Sequence, residues 1–308
     1  MKKILIATDK PFAAKAVDEI KKVVASNDGY ELVMLEGYTD QADFVKAVSD
    51  VDAVIVRSDK ATREVIEAGK NLKIIVRAGA GYDNVDLEAA TEKGVCVMNT
   101  PGQNSNAVAE LAFGMMITIA RKKYTGKSGS ELREKTVGIH AYGNVGKYVA
   151  LIAKGFGMNV IAFDPFVSDE DIKKDGVTPV STVEELYKKS DYLSLHIPAN
   201  EKTKKSINFE LLSTMKKGAT LVNTARKEVI CEEGLKKMMA ERTDFKYVSD
   251  VAPDCQAELK EMYEERVLFT DKKMGAQTAE ANINAGIAAA KQIIDFLENG
   301  NDKFRVNK

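Results

Sequence analysis

The chain has 308 residues with 45 Lys+Arg against 46 Asp+Glu, a formal net charge of −1. At roughly 150 residues per domain, that length predicts two domains, each large enough to bury its own core. The balanced charge gives no electrostatic reason to expect nucleic acid or an anionic membrane as partner. Hydrophobic residues at 44% and charged residues at 30% exclude a disordered chain. No apolar stretch approaches the ~20 residues needed to span a bilayer. The opening basic-apolar run meets Asp9 after a few residues and reads as a first strand, not a signal peptide. Cys96, Cys231 and Cys255 are odd in number and lack metal spacing, so neither a disulfide framework nor a metal site is expected. A reducing cytoplasm fits that usage best.

Strand-length apolar runs alternate with amphipathic helical stretches. The first series is 4–7, 31–35, 53–56, 73–76 and 95–98. A long helical pattern follows over roughly 104–122, opened by Thr100-Pro101-Gly102. A second series covers 137–141, 160–163, 192–196, 220–222, 247–251 and 267–269. Another long helix, roughly 279–297, stops at Asn299-Gly300. Several runs are continuous rather than alternating, as parallel strands covered on both faces should be. The expected architecture is therefore α/β and doubly wound, with the two long helices crossing between domains. The expected domains are 1–99 plus 280–308, discontinuous, and 100–279.

From Thr136 to Ala150 a strand enters a helix through a glycine turn carrying Ala141, Gly143 and Gly146. The dinucleotide fingerprint G-x-G-x-x-G thus has its first glycine replaced. Gly143 would let a pyrophosphate approach the backbone, and Gly146 would let the helix pack on its strand. Amides around Asn144 and Val145 would hold the phosphates with the helix dipole. Alone, such a turn is equally an ordinary tight turn, and Asp164 alone is equally a strand-end residue before Pro165. Together they point to nucleotide binding, because Asp164 stands near the ~20-residue spacing at which a carboxylate takes the adenosine ribose. A carboxylate there repels a 2′-phosphate, which favours NAD over NADP.

The motifs Val56-Arg57-Ser58, the run from Val76 through Arg77 and Ala78-Gly79-Ala80-Gly81 to Asp86, Asn99-Thr100-Pro101-Gly102 and Asn223-Thr224-Ala225-Arg226 occur in order along the chain. With them the sequence resembles the D-2-hydroxyacid dehydrogenases over nearly its whole length, and most of all their phosphoglycerate dehydrogenase branch. The resemblance implies two Rossmann-like domains, the first for substrate and the second for NAD, with the active site in the cleft between them. It implies hydride transfer between C2 of a small anionic 2-hydroxy acid, 3-phosphoglycerate in that branch, and NAD. Arg226 matches the catalytic arginine that bridges the substrate carboxylate and C2 oxygen, a task suited to its planar fork. Gly79, Ala80 and Gly81 would offer backbone amides to the carboxylate. Arg57 and Arg77 match positions linked to the substrate phosphate, with surface salt bridging the alternative for both, and Ser58 beside Arg57 is a further substrate-binding candidate. His196, Ile197, Pro198, Thr203, Thr224, Ala225 and Gly275 match cofactor-contacting positions, and Asp250 matches the aspartate that orients the nicotinamide amide.

The acid-base pair departs from the family. Members usually carry Pro-His-x-Gly-Ala with a catalytic histidine paired to a glutamate; here the stretch reads Lys272-Lys273-Met274-Gly275-Ala276. Lys273 holds the histidine position, while Cys255 stands at the glutamate position with Asp254 one residue earlier. The paired loss is chemically coherent, because a glutamate chiefly orients and charges an imidazole and an ammonium is charged already. The expected catalytic set is Arg226, Lys273 and Asp254, the alternative for Lys273 being a solvated Lys272-Lys273 pair in a degenerate site. Lys227 beside Arg226 is a further departure. Cys231 and Cys255 have no histidine in their motifs, which argues against a thiol mechanism.

Three readings remain open at this level: a phosphoglycerate dehydrogenase, a dehydrogenase of another D-2-hydroxy acid such as hydroxypyruvate or glyoxylate, and a non-catalytic NAD-sensing binding protein. The resemblance also implies a homodimer joined through the cofactor domains, with the 104–122 helix contributing. Longer family members add a C-terminal serine-binding domain; only 301–308 remain here, so serine feedback through such a domain is not expected.

Overall fold

The computed structural model describes residues 1–307. The chain divides into two compact units, Met1–Asn104 with the segment from Thr278 onward, and Ser105–Gln277. The first unit runs β1 (Lys2–Thr8), α1 (Ala14–Ala25), β2 (Tyr30–Glu36), α2 (Gln41–Ala47), β3 (Ala53–Val56), α3 (Arg63–Ala68), β4 (Ile74–Arg77), α4 (Leu87–Glu92) and β5 (Cys96–Asn99). Its strands are all parallel in the order β2-β1-β3-β4-β5. That is a doubly wound order, with the direction of winding reversing between β1 and β3. Every residue of β3 is buried, as is Ile74–Val76 of β4, so these strands show no polar alternation. Side-chain caps fix where the following helices begin: Asp40, Thr62 and Asp86 accept from the backbone N–H of Ala42, Val65 and Ala89.

The second unit opens with α5 (Ser105–Ala120) and continues β6 (Thr136–His140), α6 (Asn144–Gly155), β7 (Asn159–Phe163), α7 (Asp169–Lys174), β8 (Thr178–Pro179), α8 (Val183–Lys189), β9 (Tyr192–Leu195), α9 (Phe209–Ser213), β10 (Thr220–Asn223), α10 (Glu232–Glu241), β11 (Lys246–Ser249), α11 (Gln256–Tyr263) and β12 (Val267–Phe269). The sheet is parallel in the order β12-β11-β10-β9-β6-β7-β8. Counted from β6, this is the 3-2-1-4-5-6 dinucleotide-binding order with one added strand, and its switch point lies between β6 and β9. Ala109, Ala112, Phe113 and Met116 of α5 pack into one core with Val137, Val222 and Val248 of the sheet, which is why α5 is apolar nearly all round.

The last helix, α12 (Ala279–Asn299), belongs to the first unit. Thr278 caps its start and Gly300, at φ +69°, ends it in the left-handed conformation that glycine adopts at no steric cost. Ala285, Ala289, Ala290 and Ile293 enter the core that Ile4, Ile20 and Ile74 also share. A Cβ on Gly286 would stand 2.8 Å from Ile20 Cδ1, so glycine sets how closely α12 approaches α1.

All the strands expected from the sequence are present, and the two long helices lie within two residues of their expected limits. The structure adds β8, a two-residue edge strand ending in proline. Among the described residues no helix is long and apolar enough to cross a membrane.

Candidate active site

In the first unit, Arg57 directly follows β3 and Arg77 closes β4, and Val56 pairs with Arg77 in the ladder. The two arginines therefore leave neighbouring strands at the C-terminal edge, where α/β sheets bind ligands. Arg77 Nε donates to the Arg57 carbonyl at 2.9 Å. The Arg57 guanidinium donates to Asn282 Oδ1 at 2.8 Å and to the Lys10 carbonyl at 3.1 Å, and stacks over Phe12 at 4.9 Å. Partial burial lowers its pKa, but a guanidinium stays charged. Gly79 has φ +150°, and a Cβ there would overlap the Arg77 guanidinium, so the arginine lies directly over the glycine. Asn99 Nδ2 holds the Ala80 carbonyl at 2.6 Å. Ser58 and Ala80 are exposed and Gly81 partly so. Thr100 Oγ1, whose backbone N–H donates to the Gly79 carbonyl, is buried with no hydrogen-bond partner among the described residues.

Three positioning residues escape sequence reasoning. Buried Asp59 accepts from the Asp9 N–H at 2.6 Å and from Tyr38 Oη at 2.9 Å. Asn84 Nδ2 donates to the carbonyls of Asp59 (2.6 Å) and Arg57 (3.2 Å), fixing the turn after β3. Asn282 comes from α12, far along the chain; only Asn84 sits in a motif that could have flagged it.

In the second unit, the β6–α6 turn has the geometry its spacing predicts. Ala141 adopts φ +79°, the left-handed conformation that the fingerprint's first glycine would supply. Nothing lies within 4 Å of a Cβ built on Gly143, so the turn presents open backbone at the start of α6. A Cβ on Gly146 would stand 2.5 Å from the Ala141 carbonyl oxygen, so only glycine lets the helix pack here. Asn144 is exposed and Val145 half-buried beside it. Asp164, just past β7, accepts from the N–H groups of Tyr142 (2.7 Å) and Phe166 (2.8 Å), which ties the acid to the glycine turn.

On the other side of the switch point, β9 delivers His196. Its Nε2 is 2.9 Å from Ser194 Oγ, and burial, with His140 adding to it, pushes its pKa down to about 3. Burial likewise lowers His140 to about 4. Both imidazoles are neutral at ordinary pH, which removes them as proton donors. Ile197 is buried and Pro198 exposed, and Thr203 Oγ1 donates to the Pro198 carbonyl at 2.5 Å, closing that loop.

At the end of β10, Asn223 holds the turn through Oδ1 to the Ala225 N–H (3.0 Å) and Nδ2 to the Arg226 carbonyl (3.0 Å). Arg226 is half-buried. Asp250 follows β11; its Oδ2 accepts from the N–H groups of Met274 (3.2 Å) and Gly275 (2.8 Å). That clamp fixes the loop carrying Lys273, whose side chain is exposed. Asp250 Oδ1 and Thr224 Oγ1 are buried without a hydrogen-bond partner among the described residues. These orphaned atoms, the open backbone at Gly143 and the tethered Asp164 together fit a bound dinucleotide.

Asp254 lies in the loop between β11 and α11. Its carboxylate is largely exposed and receives Lys227 Nζ at 2.5 Å, which accounts for the otherwise unexplained Lys227. Glu232 accepts from the N–H groups of Asp254 (2.7 Å) and Cys255 (3.1 Å). Burial and Glu232 push the Cys255 thiol up to about 12, so no thiolate is available there.

The profile of the D-isomer specific 2-hydroxyacid dehydrogenase NAD binding domain matches residues 105–270. A hydroxypyruvate reductase of Thermotoga maritima is 38% identical over 285 residues, covering 87% of this chain and 92% of that protein. A D-3-phosphoglycerate dehydrogenase of Methanocaldococcus jannaschii is 36% identical over 284 residues, 87% of this chain but 53% of that protein, so the chain spans about half the length of that relative. Among solved structures, an NAD+-bound 3-phosphoglycerate dehydrogenase of Entamoeba histolytica matches with a TM-score of 0.87 and 47% identity, over 100% of this chain and 99% of the other.

Proposed function

The chain belongs to the D-isomer specific 2-hydroxyacid dehydrogenase family, and from that premise we propose that it oxidises 3-phospho-D-glycerate at C2 to 3-phosphohydroxypyruvate with NAD. The observation that carries the substrate is the pair Arg57 and Arg77 at adjoining strand ends. Two fixed guanidinium groups suit a phosphate dianion, where an unphosphorylated acid would need only one cationic anchor for its carboxylate. Ser58 adds a hydroxyl, and the Gly79–Gly81 loop adds amides.

NAD, when bound, takes up the hydride from C2. Gly143, Asn144, Val145 and Gly146 would hold its pyrophosphate and Asp164 the adenosine ribose. His196, Ile197, Pro198, Thr203, Thr224, Ala225 and Gly275 would line the rest, with Asp250 Oδ1 available to an amide N–H of the nicotinamide. Arg226 would fix the substrate carboxylate and polarise the C2 oxygen. Lys273 would hold the proton at that oxygen. In the reducing direction its ammonium donates the proton; in the oxidising direction it must first become an amine, so raising the pH favours oxidation. Asp254 acts on Lys227 rather than as a partner to the acid-base group.

A second reading, hydroxypyruvate reductase, draws on the Thermotoga relative, of which the chain covers 92%. Comparing kcat/KM for 3-phosphoglycerate with D-glycerate, and for hydroxypyruvate with NADH, separates the two. A preference for the phosphorylated acid that Arg77→Ala abolishes supports the first; equal rates remove the phosphate site. No turnover of any of these acids would leave a nucleotide-binding protein without this chemistry. We also propose a homodimer joined through the second unit, supported by exposed Tyr148, Leu151 and Phe156 on and just after α6, with α5 contributing; sedimentation velocity checks it.

A further inference from the structure

The second unit carries a basic cavity at the opposite edge of its sheet from Arg226 and the glycine turn. It has a volume of about 330 Å³, and Lys122, Lys135, Lys217 and Lys246 line it together with Ser128 and Ser130. Lys135 precedes β6, Lys217 precedes β10 and Lys246 begins β11, so three of the lysines stand at strand starts. Four-residue β10 separates them from the Thr224–Arg226 turn by roughly 13 Å at ~3.3 Å per residue. An occupant here would not touch the reacting groups of this unit.

None of the four ammonium groups forms an ion pair among the described residues. Lys246 Nζ reaches only carbonyl oxygens, those of Gly218 at 3.2 Å and Asp244 at 3.5 Å. The one carboxylate lining the cavity, Asp191, is already taken by Lys216 Nζ at 3.1 Å and the Thr136 N–H at 2.8 Å. The cavity adjoins a second hollow, which Lys122 and Lys246 share with the acidic Asp244, Glu261, Glu264 and Glu265. There Glu265 pairs with Lys127.

The loop that brings Lys122 into place is strained. Lys122, Lys123 and Tyr124 have φ of +53°, +51° and +58°, three successive non-glycine residues in the left-handed region. Ser130 N–H then returns to the Ala120 carbonyl at 2.9 Å, and a Cβ on Gly129 would strike that carbonyl oxygen, so the loop closes tightly against the end of α5. Gathering like charges through strained backbone is unfavourable unless something of opposite charge completes the group. Burial, then Lys122, lowers the Lys246 pKa, and Asp244 only partly offsets them.

We propose that this lysine-lined cavity binds a small phosphate-bearing anion, separately from the dehydrogenase reaction. Four ammonium groups supply only donors and the Ser128 hydroxyl can add one more, and they suit the several acceptor oxygens of a phosphate or diphosphate better than a single carboxylate. The ligand's source is free phosphate or the phosphate end of a larger metabolite. The arms of the test separate these.

Calorimetric titration at low ionic strength would use inorganic phosphate, pyrophosphate and 3-phosphoglycerate as probes on the full chain. The unaltered protein should bind pyrophosphate saturably, and Lys135→Gln/Lys217→Gln should weaken it by roughly tenfold or more while leaving turnover within about twofold. Both lysines are exposed, so the double variant should fold; an unchanged melting temperature without ligand checks this. Arg77→Ala should leave pyrophosphate binding intact, which separates this cavity from the phosphate site proposed in the first unit. Tighter binding of 3-phosphoglycerate than of pyrophosphate that survives Arg77→Ala would identify a metabolite's phosphate, and the reverse order would identify the free anion. Equal pyrophosphate affinity in the double variant, or no saturable binding to the unaltered protein, would overturn the proposal.

Discussion

The roles proposed for Lys273 and Asp254 differ because different contacts hold the two residues. The loop bearing Lys273 is clamped by Asp250 through the Met274 and Gly275 N–H groups, so the amine is presented from fixed backbone. Lys273→Ala should lower kcat/KM by roughly 10²-fold or more, the usual worth of a positioned acid-base group. It should also flatten the rise with pH expected of the proposed 3-phosphoglycerate oxidation; near-normal turnover would sink the assignment. Asp254→Asn is the contrast. Because that exposed carboxylate engages the half-buried Lys227, the change should cost only a few-fold in rate and leave the pH profile's shape intact. The histidines give a prediction of another kind. His140 and His196 are held neutral in the fold, at about 4 and about 3, both chiefly by burial. Above the ordinary histidine value of ~6.5 both states are neutral and nothing is lost. Below it the unfolded chain takes up protons that the fold refuses, so stability falls by about 1.4 kcal/mol per pH unit for each histidine until about pH 4. Urea midpoints measured from pH 7.5 to 5.5 should decline accordingly; a flat midpoint contradicts the burial argument.

At the scale of elements, the β6–α6 turn carries the strictest local requirement. Gly146→Ala would push a methyl against the backbone oxygen of Ala141, which cannot swing aside as a side chain can. The variant should lose NAD affinity by tenfold or more and unfold at lower temperature, read by NADH fluorescence titration and thermal melting. Most of the elements were legible because buried parallel strands such as Ala53–Val56 leave unbroken apolar runs. Thr178–Pro179 was not, since two residues with a proline carry no strand pattern and proline suits only an edge. The glycine turn and Asp164 were legible through spacing along one stretch of chain. Ala141 shows the limit of that reading: a non-glycine residue there takes a positive φ of +79°. The Lys227–Asp254 pair and the Asn282 anchor of Arg57 are contacts between distant segments, and no local pattern announces them. Nor does sequence mark the left-handed run at Lys122–Tyr124, where the usual glycine is absent.

Across the whole molecule, the cores divide as cleanly as the sheets. Two clusters, one around Leu193, Leu221 and Met238 and one around Phe113, Val137 and Ala150, lie wholly within Ser105–Gln277. The other two draw on β1–β5 and their helices, and one of them is completed by Ala285, Ala289, Ala290 and Ile293 of α12. The second unit is therefore continuous in sequence and closed in packing, whereas the first needs both ends of the chain. Ile293 and Ile294 of α12 each stabilise by about 1.5–3 kcal/mol when removed from water and its buried alanines by roughly 0.8 kcal/mol each, while a domain's whole margin is only about 5–15 kcal/mol. Residues 105–277 expressed alone should consequently melt in one cooperative transition and still bind NADH. Residues 1–104 alone, lacking α12, should show no cooperative melt, and supplying 278–308 as a separate peptide should restore one. Circular dichroism melts of the three preparations decide the matter: a cooperative transition in residues 1–104 alone would mean that α12 only covers a core already closed, not one it completes.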